Sequence, residues 1–503
     1  MEFSAEQKLA YDKYIEGKNI FITGPGGTGK TALIRHIQKD AYKKCLDIQV
    51  CALTGCAAVL LECKAKTVHS WSGIGLGNGT IEYNINKIIK NRYAKATWKG
   101  VDILVIDEVS MMSLKLFEML DGIGKAVRRN PKPFGGIQVI FSGDFYQLPP
   151  VGNKDEPDTT RFCFESPYWF QTFKLQDHVS LCKIFRQSDP IYQRILNQIR
   201  EGRLKRSSNE ALLQNVGREI DPRCAIRPTK LFPTRNKVEY INVEEMNNLD
   251  GPEYEYKVKY VMDLEMSAKE RITRMGFTKE QIQTELLYLQ SNLRCDEVIK
   301  LKLGSQVMCI VNINLDNGDI LCNGAQGIVV EISPQGLPMV IFKNGYKMVM
   351  NYHTWSSELI PGIGVSQVPL ILAWALTIHK AQGATLDIAE VDAGSGIFEC
   401  GQTYVALSRV KSLEGLYLSS FDAKRVRINK KVQDFYEVLE EENAKKRSAE
   451  EKMDREIELL PEAYVSNVSS IPVVEAIIVP QLPVAVEMGD DEQVNFDDFE
   501  LIE

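Results

Sequence analysis

The stretch Gly24–Thr31, reading GPGGTGKT, constrains this chain more than any other. It follows an apolar run, Asn19-Ile20-Phe21-Ile22, which reads as a buried strand, and precedes Ala32–Ile37, which reads as a helix. Strand, glycine-rich loop and helix in that order make a phosphate-binding loop. Glycines let successive N–H groups curl inward, and the helix N-terminus adds its partial positive charge at the same place. Lys30 is placed to reach the β- and γ-phosphates of a nucleotide, and Thr31 to offer a hydroxyl to Mg²⁺. A merely structural glycine turn has no need of Lys-Thr at its end.

A second half of a nucleotide site follows. Val101–Ile106 is an apolar run ending in Asp107-Glu108. Beside a phosphate loop, such a pair suits an acid that holds Mg²⁺ through water (Asp107) and one that activates the attacking water (Glu108). Gly136–Asp144 repeats the strand-and-turn design and leads to Gln147 and two prolines. Three such strands with helices between them predict a doubly wound α/β domain with its ligand at the strands' carboxyl ends. A helix from Ser4 to about Gly17 is predicted, with Ser4 as cap and Gln7 closing a capping box.

Further along, Lys230–Asn236 begins a second α/β unit. Between them, the segment from Phe185 to Gly202 is basic and helical in pattern. Residues 301–350 carry strand-like runs with Asn317-Gly318, Asn323-Gly324 and Asn344-Gly345 turns, and predict a small β-barrel insertion. The α/β pattern resumes after Pro361-Gly362.

Composition sets the outer bounds. The chain has 503 residues and a net charge of −7. Residues 441–503 hold 17 acidic and five basic side chains, so the body before them is net basic. A basic body with an acidic tail is compatible with a nucleic-acid groove. Eleven cysteines without a CxxC pair argue against zinc or iron–sulfur ligation and for a reducing compartment. No apolar run is long enough to span a membrane, and the N-terminus lacks the apolar core of a signal peptide. An intracellular protein, nuclear, cytoplasmic or at a viral replication site, is expected.

Six segments in order then resemble one family: GPGGTGKT, IDEVSMM, FGGIQVIFSGDFYQLPPV, FRQSDPIYQRILNQIREG, LAWALTIHKAQGATLD and YVALSRVKSLEGLYL. The set resembles a superfamily-one B DNA helicase of the petite-integration-frequency (PIF) family, with RecD as a more distant relative. The resemblance covers roughly residues 3–425. It implies two RecA-like P-loop domains, a small first-domain insertion, an SH3-like β-barrel insertion in the second domain and an acidic C-terminal tail. The boundaries expected are 1–182 for the first domain, with its insertion at about 67–95, 183–300 and 368–440 for the second, 301–367 for the β insertion, and 441–503 for a largely disordered linker and tail.

The family's roles carry over by position. Gln7 is similar to the adenine-reading glutamine. Gly24, Pro25, Gly26, Gly27, Thr28, Gly29, Lys30 and Thr31 form the nucleotide loop, with Thr31 and Asp107 as Mg²⁺ contacts. Lys30, Glu108, Gln147 as γ-phosphate sensor, and Arg186 and Arg409 as arginines from the second domain form the catalytic set. Thr54, His69, Thr377, His379 and Lys380 lie in motifs that line single-stranded DNA. The resemblance implies an ATP- and Mg²⁺-dependent 5′→3′ helicase acting on single-stranded and forked DNA, with G-quadruplexes and RNA–DNA hybrids as further substrates, in replication, repair or recombination. A monomer is expected. Two departures stand out: Ala381 replaces the family's usual serine, removing a hydrogen bond near DNA or nucleotide, and Ser366 stands where arginine is common.

Rival readings are a P-loop ATPase or kinase that needs no nucleic acid, and a non-enzymatic nucleic-acid-binding module. The first has no use for a second α/β unit bearing Arg409, and the second none for the acid pair. The tail reads first as a solvated acidic segment. Gln493–Phe499 also loosely resembles a sliding-clamp-binding peptide, which would dock a replication protein, and the tail's charge could mimic DNA.

Overall fold

The computed structural model describes residues 3–442 apart from 62, 64, 76, 154, 221–225, 292, 294, 316–319 and 358–359. The expectations for the tail, including the Gln493–Phe499 peptide, and for the Asn317-Gly318 turn lie outside the described residues. No described helix is long and apolar enough to cross a membrane.

The chain opens with α1 (Ala5–Ile15), whose capping box is formed as the Ser4–Gln7 spacing predicts. Its first sheet has six parallel strands: β1 (Ile20–Thr23), β2 (Ile48–Ala52), β3 (Lys66–Thr67), β4 (Ile103–Asp107), β5 (Gln138–Ser142) and β6 (His178–Ser180), in the order β3-β2-β4-β5-β1-β6. Strands covered on both faces must be apolar throughout, and β1 and β4 are buried at every position. Parallel pairing puts all the carboxyl ends on one edge. Thr23, Ala52, Asp107 and Ser142 therefore deliver the phosphate loop, Thr54, Glu108 and Asp144 to that edge.

Between β3 and β4 lie three helices, Val68–Ser72, Ile81–Lys90 and Arg92–Gly100. Trp98 anchors them, fully buried, with its indole N–H on the Ser72 carbonyl at 3.0 Å. They occupy the region expected to be the first-domain insertion.

The second sheet has four parallel strands, β7 (Thr229–Phe232), β8 (Ala375–Thr377), β9 (Ala389–Ala393) and β10 (Leu416–Phe421), in the order β8-β7-β9-β10. A β-rich excursion separates β7 from β8. Its main sheet is antiparallel, ordered Lys347–Val349, Pro338–Phe342, Gln326–Ile332, Gln306–Cys309, Leu370–Leu372. Two separate small sheets accompany it: Val298–Leu301 pairs with Tyr254–Lys257, and Gly364–Gln367 pairs with His353–Ser356 and Lys259–Val261. The excursion therefore begins near residue 254, ahead of the expected start at 301. Its early strands pair with segments more than 40 residues away, so no local hairpin signal marks them.

Ser366 is one of these paired residues. It is buried and accepts a hydrogen bond from the Thr354 hydroxyl at 3.2 Å, so it serves the sheet. Ala381 has no exposed surface and packs in the core of the second half. A serine there would set its hydroxyl against that core.

Helix 430–442 closes the described chain. Val432, Phe435, Tyr436 and Leu439, spaced for one helical face, bury themselves among Phe145, Phe164 and Trp169 of the first sheet's core. The chain thus leaves the second sheet and packs back on the first.

Candidate nucleotide and nucleic-acid site

The loop after β1 curls as its glycines permit. Gly27 has φ +86°, and a Cβ there would stand 2.5 Å from the Arg186 Cβ. Gly29 has φ +81° and begins α2 (Lys30–Lys43), whose first turn has no side-chain cap and no acidic residue. Its free N–H groups and dipole favour an anion. Lys30 Nζ donates to the carbonyls of Gly24 at 2.6 Å and Pro25 at 3.0 Å. Burial pulls its pKa down, while Asp144, Glu108 and Asp107 oppose the shift.

Facing the loop, Asp107 ends β4 and Glu108 follows at φ +57°. A glutamate in the left-handed region carries roughly 1–2 kcal/mol of backbone strain, of the kind found at functional sites. Burial raises the pKa of Glu108, and the neighbouring Asp107 raises it further. Gln147, nearly buried, reaches the same cleft from a turn closed by its N–H on the Asp144 carbonyl at 2.9 Å.

Two arginines from beyond the first sheet complete this cluster. Arg186 Nη1 and Arg409 Nη2 each lie 3.4 Å from where a Gly26 Cβ would be. Arg409 is held by bonds to the Val405 carbonyl at 2.9 Å and the Ser408 hydroxyl at 2.8 Å. Arg186 is tied to the Ser408 carbonyl at 3.3 Å. Two residues 223 positions apart in sequence therefore share one anchor.

These groups line a cleft of about 940 Å³. Thr54, Thr377, His379 and Lys380 line it as well. Thr54 caps the helix Gly55–Leu61 through its hydroxyl on the Ala57 N–H, and Thr377 accepts from the Lys380 N–H at 3.1 Å. His69 stands apart from them in an adjoining groove of about 460 Å³, which shares Thr54, Met111 and Val151 with the cleft. Burial keeps His69 and His379 below the ordinary imidazole pKa, with Arg235 adding to the effect at His379. Gln7 lies behind the loop. Its Oε1 accepts from the Ser4 N–H and its Nε2 donates to the Thr28 carbonyl at 3.3 Å, so cap and loop contact coexist in one side chain.

A sequence profile described as PIF1-like helicase matches residues 2–210, and one described as DNA helicase Pif1, 2B domain, matches 288–332. Over 461 residues the chain is 34% identical to the ATP-dependent DNA helicase PIF1 of Xenopus laevis, covering 91% of this chain and 67% of that one. This chain belongs to the PIF1-like helicase family. The ATP-dependent DNA helicase RRM3 of Saccharomyces cerevisiae is 33% identical over 498 residues, covering 84% of this chain and 65% of that one, so this chain spans just under two thirds of that relative's length. Among solved structures, the Pif1 helicase of Candida albicans aligns with a TM-score of 0.66 at 33% identity, over 87% of this chain and all of that one. Bacteroides Pif1 in complex with ADP-AlF4 aligns at 0.70 and 26% identity, over 88% and 98%.

For a PIF1-like helicase, two residues here escaped sequence reasoning. Phe185, half exposed, sits 3.7 Å from a Gly29 Cβ position and donates its N–H to the Gly27 carbonyl at 2.8 Å. Arg235 lines the cleft at the start of the helix after β7. Only their place beside recognised motifs could have signalled them. Among the described residues no group of three or more His, Cys, Asp and Glu gathers to hold a metal. Thr31 and Asp107 both line the cleft, and their hydroxyl and carboxylate are hard oxygen donors that suit Mg²⁺ shared with phosphates and water.

Proposed function

We propose that this chain is an ATP-dependent DNA helicase that moves 5′→3′ along single-stranded DNA and opens duplex ahead of it. The observation that carries the reading is the convergence of Arg186 and Arg409 on the phosphate loop, across from Glu108. Both relatives named above are ATP-dependent DNA helicases by name, Bacteroides Pif1 structures are described with ssDNA and with ADP-AlF3 and ssDNA, and a further Pif1 structure is described as the basis for DNA unwinding at forked dsDNA by two coordinating helicases.

In this reading the loop N–H groups and Lys30 hold the β- and γ-phosphates of ATP. Thr31 and Asp107 would hold Mg²⁺, which supplies charge neutralisation on those phosphates. Glu108 takes a proton from the attacking water, and its raised pKa strengthens it as a base. Arg186 and Arg409 spread their charge over the transferring phosphoryl oxygens. Gln147 senses the γ-phosphate, and Gln7 and Phe185 receive the adenine at the other end of the loop. Both arginines are anchored at Ser408, so ATP draws the second half of the protein toward the first, and hydrolysis releases it. Thr54 and His69 on one side, and Thr377, His379 and Lys380 on the other, hold the DNA strand through the cycle. The two parallel sheets are read as RecA-like domains, and the antiparallel excursion as an SH3-like barrel. The protein acts as a monomer on single-stranded and forked DNA.

A forked DNA with either a 5′ or a 3′ tail, incubated with and without ATP, tests the proposal. Opening of the 5′-tailed fork in the presence of ATP is expected. Equal opening from both tails, or ATP turnover indifferent to DNA, counts against it. The second outcome favours the nucleic-acid-independent ATPase.

A further inference from the structure

A buried ion pair lies behind the cleft, outside the residues assigned above. Asp144, with no exposed surface, accepts from Arg200 Nε at 2.9 Å and Nη2 at 2.8 Å. Asp144 follows β5, and Arg200 ends the helix Pro190–Arg200. The guanidinium lies 4.5 Å from the ring centre of Tyr146 and 5.4 Å from that of Tyr436. Those two rings stack on each other at 4.6 Å and 10°.

The unit touches the site at two points. Asp144 closes the turn that presents Gln147, through its carbonyl on the Gln147 N–H at 2.9 Å and its carboxylate on the Tyr146 N–H at 3.3 Å. The Tyr436 hydroxyl accepts from the Phe145 N–H at 3.1 Å and lies 2.6 Å from the Thr23 hydroxyl, the last residue before the phosphate loop. Helix Pro190–Arg200, the sensor turn and helix 430–442 thus meet at one carboxylate. Burying two charges is expensive, and a well-packed apolar pair would stabilise the fold as well or better. A charged pair at this place therefore calls for a reason other than stability.

We propose that Arg200, Asp144 and Tyr436 are positioning residues that hold Gln147 and the start of the phosphate loop in one geometry, and so set the turnover step. The proposal rests on reading Gln147 as the γ-phosphate sensor. Fixing the turn from two elements of the chain's second half removes its freedom to swing away from the phosphate. Nucleotide binding, made by the loop itself, is left largely alone.

Steady-state ATP hydrolysis by the full chain with saturating oligothymidine tests this. Arg200→Gln is expected to lower kcat by about tenfold to a hundredfold, the scale of a misplaced catalytic group. The KM for ATP should stay within about threefold, since ground-state contacts are kept. Arg200→Lys should recover part of the rate by restoring the charge. Tyr436→Phe keeps the ring stack, drops the hydroxyl, and should lower kcat in the same sense even if Arg200→Gln does not fold. In a Gln147→Ala background both changes should cost little more, because losses acting through one group do not add. Losses that multiply in the double variants, or an unchanged kcat in the folded single variants, overturn the positioning role. Unchanged kcat in Gln147→Ala overturns the sensor reading instead.

Discussion

The hydroxyl of Tyr404 accepts a hydrogen bond from the Gly26 N–H at 2.9 Å. Gly26 belongs to the phosphate loop, and Tyr404 to the helix Gln402–Leu407 that leads into Arg409. Burial, and then Asp144, raise the Tyr404 phenol to about 12, so it stays protonated at neutral pH. The second half of the protein is therefore bonded to the nucleotide loop directly, as well as through its arginines.

Tyr404→Phe tests what that bond does. It frees the Gly26 N–H and removes a competitor for it. ATP affinity is expected to tighten by about 0.5–1.5 kcal/mol, the net worth of one hydrogen bond. Fluorescent-nucleotide titration reads this, and weaker binding would show that the hydroxyl belongs to the bound state.

Lys30→Ala and Glu108→Gln should separate binding from chemistry. Without Lys30 the phosphates lose their cation, and both ATP binding and hydrolysis should fail. Glu108→Gln should still bind ATP and lose turnover. The pH profile of kcat/KM supplies a second check. A base must be deprotonated to act, and burial beside Asp107 raises the Glu108 pKa. The acid limb should therefore sit above the ordinary glutamate value of about 4.3. A limb at or below that value would take Glu108 out of the base role.

Arg186→Ala and Arg409→Ala should each cut kcat steeply. Losses of roughly 10³–10⁵ accompany removal of an arginine finger. Arg409 also holds the Val405 carbonyl and the Ser408 hydroxyl, so its loss should lower the melting temperature more than that of Arg186. Normal turnover per folded molecule would make either arginine structural.

The parts legible in the sequence are those whose physics is local. Runs such as Ile103–Asp107 announce buried parallel strands because each residue must be apolar. The loop Gly24–Thr31 announces itself because glycines, lysine and threonine must be consecutive. Strands β3 and β6 escape, being two and three residues long, with His178 and Ser180 in the latter. Tyr254–Lys257 alternates with charges and finds its partner at Val298–Leu301, too distant for a hairpin signal. The same holds in the site. Tyr404 on Gly26 and Arg200 on Asp144 are contacts across 378 and 56 residues, and no spacing rule reaches them. Ala381 and Ser366, departures seen by residue type alone, are both buried, which residue type does not reveal.

Acid should destabilise the fold through its histidines. Burial holds His69, His353 and His379 below the ordinary value. Such an imidazole takes up a proton less readily folded than unfolded. Stability is therefore intact above about pH 6.5 and falls as pH drops through the window between 6.5 and the lowered values. His69→Gln should remove part of that slope in melting temperature against pH. Bound DNA phosphate favours the protonated form, so affinity of the parent chain for oligothymidine should rise over the same window. A His69→Gln slope identical to the parent's would place the titration elsewhere.

Phe435→Ala should be a costly change outside the cleft. Its ring stacks on Phe164 at 4.5 Å and meets Phe145 and Trp169 edge-on, all in the core of the first sheet. Removing a buried phenylalanine costs about 3–5 kcal/mol through lost transfer energy and the cavity left behind. Here the loss falls on the helix that carries Tyr436, one residue on. Loosening helix 430–442 should thus lower the melting temperature and, through Tyr436 and Thr23, slow ATP turnover in molecules that remain folded. Phe435→Leu, which refills most of the space, should restore most of both. Recovery of the melting temperature without the rate would mean that the aromatic ring itself, and not merely the seating of the helix, is needed to hold the loop.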